Sequence, residues 1–129
     1  MTNVYLIGVF DMFHLGHYNL LKKASELGNL YVGVVADKAV KRVKGENRPI
    51  YDQQARLNII KELKCVCYAD LISDFEITEE AIETFDLIVV GEDQSHVKGI
   101  DLIPKDKLYK MPRTEGISTS DIIRRIKGE

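Results

Sequence analysis

An open α/β sheet of parallel strands, with helices on both faces, is the fold class this sequence predicts. Three observations lead to it. Short apolar runs recur along the chain, as in "VYLIG", "LYVGVVA" and "DLIVVG". Segments with helical spacing separate them, as in "YNLLKKASELG". Glycine or loop residues fall where one kind of segment gives way to the other. Alternation of this kind means parallel strands joined by right-handed crossovers.

Each element has its own signal. "VYLIG" (4–8) is a short apolar run closed by glycine and predicts a buried strand. Downstream, Leu20, Leu21, Ala24 and Leu27 share one helical face, and Gly28 is a natural stop. The valine-rich "LYVGVVA" (30–36) predicts a second strand, after which Asp37 opens a short helix. "KGENRPIY" (44–51) holds Gly, Asn and Pro and reads as a loop carrying Lys44. Asp52 is an N-cap for a helix through Leu63, with Leu57, Ile60 and Leu63 inward. "CVCYA" (65–69) predicts a third strand, and Thr78 caps a short helix with Glu79 and Glu80 in its first turn. "DLIVVG" (86–91) and "KLYKM" (107–111) complete a sheet of about five strands, and Ser118 caps a last helix, "DIIRRIK". The sum is a Rossmann-like open sheet.

Composition bounds the function. A chain of 129 residues predicts one domain, 1–129, with a single core. A net charge of −2 argues against nucleic acid or an anionic membrane as the main partner. No apolar run reaches the ~18 residues of a membrane span, and Met1–Val4 opens no signal peptide. Cys65 and Cys67 alternate within an apolar stretch with nothing nearby to complete a metal site. They are expected as buried, reduced thiols of a cytoplasmic protein.

Two of the chain's three histidines lie in "GVFDMFHLGH", which begins at Gly8 and leads from the first strand into the first helix. In an open α/β sheet, ligands sit beyond the carboxyl ends of the strands. Residues three apart at a helix start share a face, so His14 and His17 can present two ring N–H donors to one spot. Gly16 allows a ligand close to the backbone, and a helix N-terminus favours an anion. The segment reads as a phosphate cradle. A second stretch, "RTEGISTSDIIRRI" (113–126), offers the Arg113 guanidinium, Gly116 and the hydroxyls of Ser118, Thr119 and Ser120 at another helix start. Together they point to one polyphosphate held between two helix N-termini.

At these residues the chain resembles the small cytidylyltransferases, of which glycerol-3-phosphate cytidylyltransferase is the compact member. The choline- and ethanolamine-phosphate cytidylyltransferases are larger relatives. The likeness rests on the HxGH segment together with "RTEGISTS" and spans essentially the whole chain. It implies the nucleotidyltransferase fold, with CTP as substrate and Mg²⁺ or another divalent cation on its phosphates rather than on a dedicated protein site. His14, His17, Lys44 and Arg113 match the catalytic positions. Gly8, Val9, Phe10, Asp11, Gly16, Arg56, Asp93, Thr114, Gly116, Ile117, Ser118 and Thr119 match nucleotide-binding ones. The departures are Val9 where Thr is common, "QQAR" in place of a more acidic run, and the absence of tryptophan. They touch the acceptor side. A homodimer is also implied, with Tyr18, Ile59 and Leu63 on the outer helix faces as interface candidates.

The residue types suit the chemistry. A phosphate monoester is already an anionic nucleophile, so its attack on the α-phosphorus of CTP needs no general base. Positioning and charge stabilisation are then the whole of catalysis. Glycerol 3-phosphate is the first acceptor; phosphoethanolamine, phosphocholine or another small phosphate is the alternative. AMP transfer from ATP to a flavin phosphate, and a CTP-sensing module without turnover, remain alongside. Lys41, Arg42, Lys44 and Arg48 form a basic cluster beside the expected phosphate site, and His96 is expected at the surface, though "EDQSHVKG" lies close enough to the expected base site to contribute. From Cys65 to Val97 there are nine acids and no Lys or Arg, which would suit an acceptor bearing an amino group.

Overall fold

The structure, a computed structural model, describes residues 1–91, 96–112 and 118–128. Five strands form one all-parallel sheet in the order β3-β2-β1-β4-β5. They are β1 (Asn3–Gly8), β2 (Asn29–Val35), β3 (Tyr68–Ile72), β4 (Leu87–Gly91) and β5 (Leu108–Met111). The helices are α1 (Leu15–Ser25), α2 (Asp37–Lys44), α3 (Gln53–Lys61), α4 (Glu79–Thr84) and α5 (Thr119–Ile126), with a 3₁₀ turn at Ile100–Leu102.

The period of two along β1 explains the layering. Val4 and Leu6 face one side and pack with Leu21 and Ala24 of α1 and Leu57 and Ile60 of α3. Ile7 faces the other side and packs with Ile77, Ile82 of α4 and Ile103. Helices therefore cover both faces, as the alternation predicts. The chain steps outward from β1 through β2 to β3, then returns to place β4 on the other flank of β1. That reversal puts the switch point of the sheet at the carboxyl end of β1, where a ligand crevice is expected.

The predicted caps are present. Asp52 accepts from Ala55 N at 2.8 Å, Thr78 from Ala81 N at 3.1 Å and Ser118 from Asp121 N at 3.1 Å.

Three expectations need correction. The third strand lies at Tyr68–Ile72 rather than 65–69. Residues 63–66 make a turn, with Val66 N on Leu63 O at 3.1 Å, and Leu63, Cys65 and Val66 pack on the core from it. β3 is an edge strand whose Tyr68 and Asp70 stay exposed, so its sequence lacks the continuous apolar run of a central strand. Consequently Cys65 is only half-buried and Cys67 is exposed, against the expected buried thiols. Leu63, offered above for both roles, packs inward and is lost as an outer-face contact.

Candidate functional site

The chain leaves β1 through a tight turn. Phe10 (φ 57°) and Met12 (φ 47°) both adopt left-handed backbone, a conformation that costs a side-chain-bearing residue roughly 1–2 kcal/mol. The turn drives the Phe10 ring back under Gly8, where it is buried in the core. A Cβ at position 8 would stand 2.7 Å from that ring, so glycine is required there. The result is a floor of Ile7, Gly8, Val9, Phe10 and Asp11 for a cleft at the carboxyl end of the central strand.

His14 is the N-cap of α1. Its Nδ1 accepts from Gly16 N at 3.0 Å, and His17 Nδ1 accepts in turn from His14 N at 3.3 Å. An imidazole nitrogen that accepts carries no proton, so each ring is held as the neutral tautomer protonated on Nε2. The two rings stack with centroids 3.8 Å apart. Burial, then the electrostatic influence of His14 and Lys44, push the His17 pKa down to about 3. The pair therefore presents neutral donors at pH 7. Capping through Nδ1 fixes which nitrogen of each ring carries the proton.

Cationic side chains form one wall. Lys44 and Arg48 line the cleft together with Val40, and Thr119 enters it from the start of α5. Lys44 is not in a loop, as expected from "KGENRPIY", but is the last residue of α2, which Gly45 ends with φ 103°. Lys41 and Arg42 also belong to that last turn. The opposite chemistry comes from Phe75, His96 and Val97, with His96 set edge-on to Phe75 at 4.6 Å between centroids. His96 is thus a half-buried cleft residue, the alternative that the sequence left open. Its position just past β4, at the same end of the sheet as Gly8, was the available signal.

Arg56 corrects the sequence reading most. It is fully buried, Nη1 donating to Val9 O at 2.9 Å and Val35 O at 2.8 Å, Nε to Tyr51 O at 3.0 Å and Nη2 to Asp37 Oδ1 at 2.7 Å. It does not line the cleft but ties the ends of β1 and β2 to the chain entering α3. Asp11 does line it, though its carboxylate accepts from Ile50 N at 2.6 Å and Tyr51 N at 2.8 Å, and its carbonyl from Thr119 Oγ1 at 2.9 Å. Ser118 serves as the cap of α5, and Gly16 serves His14 through its N–H. Asp93, Arg113, Thr114, Gly116 and Ile117 lie outside the described residues.

Among the described residues no three His, Cys, Asp or Glu side chains are grouped to hold a metal. Asp11, the carboxylate of the described cleft, has both oxygens engaged by backbone N–H groups. That donor set is compatible with a divalent cation carried in by an anionic ligand.

A parallel sheet with a histidine-capped, cation-lined cleft at its switch point defines a nucleotidyltransferase-like fold. In keeping with it, residues 5–125 match the Cytidylyltransferase-like family, and the chain belongs to that family. Among proteins it resembles are the bifunctional protein HldE of Syntrophotalea carbinolica, 36% identical over 132 residues, and that of Wolinella succinogenes, 38% identical over 130. Each alignment covers 97% of this chain but 27% of the relative, so the chain spans about a quarter of those proteins. Among solved structures, the lipopolysaccharide core biosynthesis protein of Thermoplasma volcanium superposes with a TM-score of 0.68 at 32% identity, covering 89% of this chain and 99% of that one. A protein of unknown function from Archaeoglobus fulgidus shares the fold, at a TM-score of 0.63 and 19% identity over 92% of this chain and 93% of that one.

Proposed function

We propose that the protein transfers CMP from CTP to the phosphate of a small phosphorylated alcohol, releasing pyrophosphate. The observation that carries this reading is the neutral His14–His17 pair beside Lys44 and Arg48 at the carboxyl end of β1. Neutral N–H donors and fixed cations stabilise charge on non-bridging phosphate oxygens without taking a proton from the nucleophile. Lys44 and Arg48 would draw the triphosphate in, and the histidine Nε2–H groups would meet the oxygens of the reacting phosphorus. A Mg²⁺ ion bound by the triphosphate would lower the charge that the incoming phosphate monoester has to approach. Val9 and Arg56 would keep the floor of the site in register with β2.

Glycerol 3-phosphate heads the list of acceptors on the sequence resemblance. The name of the Thermoplasma relative adds sugar phosphates to the candidates. An amino-bearing acceptor has less support than the acidic segment 65–97 suggested, because Asp74 within it is paired with Arg42 and Lys98. A homodimer through the outer face of α1, where Leu15 and Tyr18 stand exposed, belongs to the same proposal. The test is pyrophosphate release from CTP, and from ATP in parallel, across glycerol 3-phosphate, phosphoethanolamine, phosphocholine and sugar phosphates. Acceptor-dependent release from CTP supports the reading; release from ATP alone, or from neither nucleotide with any acceptor, sinks it.

A further inference from the structure

We propose that Arg48 is a phosphate-contacting residue of the cleft, and that Asp11 is the positioning residue that sets it there through the 45–52 loop. The inference rests on the reading of the cleft as a nucleoside triphosphate site.

The loop between α2 and α3 belongs to neither helix, yet it brings Arg48 into the cleft lining beside Lys44. Asp11 holds it. Its carboxylate is buried, and each of its oxygens takes one N–H from two successive loop residues, Ile50 at 2.6 Å and Tyr51 at 2.8 Å. Two charge-assisted bonds to adjacent peptides fix both the place and the orientation of that backbone. Arg56 grips the far side of the same residue, with Nε on Tyr51 O at 3.0 Å, and reaches back to Val9 O at 2.9 Å. The turn after β1, the loop and α3 are thereby closed into one ring of hydrogen bonds. The Asp11 carbonyl adds α5 by accepting from Thr119 Oγ1 at 2.9 Å.

Arg48 bridges the loop and α5, with Nη2 3.4 Å from Ser120 Oγ. That distance is at the outer limit of a hydrogen bond, and the partner is a neutral hydroxyl. A phosphate oxygen would replace it at shorter range and with opposite charge, and the guanidinium fork matches phosphate geometry. Asp11, the carboxylate of the same cleft, already accepts two backbone N–H donors. Asp11 would thus act on the nucleotide through Arg48 and not by touching it.

Calorimetric titration of the whole protein with CTP and CMP, and with ATP and AMP in parallel, tests both halves of the inference. Arg48→Ala should weaken triphosphate binding about tenfold while changing monophosphate binding less than twofold, since a hydrogen bond to a charged group is at stake. Asp11→Asn should show the same selective loss. The double variant should bind triphosphate no more weakly than the worse single one, because one residue acts through the other. Ile50→Pro, which removes a loop N–H without touching the buried carboxylate, gives the same readout if Asp11→Asn does not fold. Equal losses on triphosphate and monophosphate, or additive losses in the double variant, overturn the inference. Wild-type triphosphate binding in Ile50→Pro overturns the role of Asp11. A wild-type protein that binds no nucleoside triphosphate instead overturns the reading of the site itself.

Discussion

Acidification should destabilise this protein through His17 more than through an ordinary histidine. The ring's folded pKa is about 3 against an ordinary 6.5, chiefly because burial penalises the imidazolium, with the neighbouring His14 and Lys44 lowering it further. Between those two values the unfolded chain binds the proton and the folded chain does not. Stability from this residue is therefore fully present above about pH 6.5 and falls as pH drops toward 3. Each pH unit in that window is worth up to about 1.4 kcal/mol, so moving from pH 6.5 to 5 should cost about 1–2 kcal/mol. His17→Asn is the control, because an amide oxygen can still accept the His14 N–H that Nδ1 now accepts at 3.3 Å. Urea unfolding followed by circular dichroism at pH 7.5, 6.5, 5.5 and 5.0 compares the two proteins. Groups that do not interact with His17 are common to both and cancel in the difference, whereas His14 is coupled to it. The wild type should lose about 1–2 kcal/mol more than the variant over the acid interval. Parallel profiles would refute the claim that the ring is held neutral by its surroundings.

The remaining predictions concern single side chains. His14→Ala or His17→Ala should lower kcat by at least ~10², the range for losing a preorganised donor, with a smaller effect on nucleotide affinity; steady-state kinetics read both. Lys44→Ala should weaken catalysis and leave the melting temperature nearly unchanged, since Lys44 is exposed on the last turn of α2. Arg56→Leu should destabilise by roughly 3–5 kcal/mol in denaturant unfolding, because it strands Asp37 and three carbonyls that the guanidinium now satisfies. A loss of activity in that variant without a loss of stability would return Arg56 to the nucleotide.

The layout of the sheet could be read from the sequence because its central strands are buried on both faces. Runs such as "VYLIG" and "DLIVVG" have no polar alternative, and the side-chain caps Asp52, Thr78 and Ser118 mark helix starts by local chemistry. β3 was misplaced because an edge strand alternates exposed Tyr68 and Asp70 with buried Ala69, while the apolar run before it belongs to a packed turn. The pairing of His14 with His17 was legible for the same reason as the caps: the two act within one helical turn. The role of Arg56 was not legible, and the place of His96 was legible only in part. The role of Arg56 depends on where Val9, Val35, Tyr51 and Asp37 converge, and that of His96 on which strand end lies beside Gly8. Those are tertiary facts with no trace in local spacing. Which ring nitrogen carries the proton was not legible either, because it is set by the N–H groups that each Nδ1 accepts.

Direct transfer of the nucleotide's α-phosphorus is the central claim, and labelled CTP tests it most directly. With CTP radiolabelled at the α-phosphorus, Mg²⁺ and the acceptor panel, the label should appear in a new acceptor-linked product as unlabelled pyrophosphate is released, with none on the protein after acid quench. Label held covalently by the protein would contradict the single-displacement chemistry of a site built from neutral histidines and cations. Tight CTP binding with no label leaving the nucleotide for any acceptor would contradict catalysis itself and make the chain a nucleotide sensor.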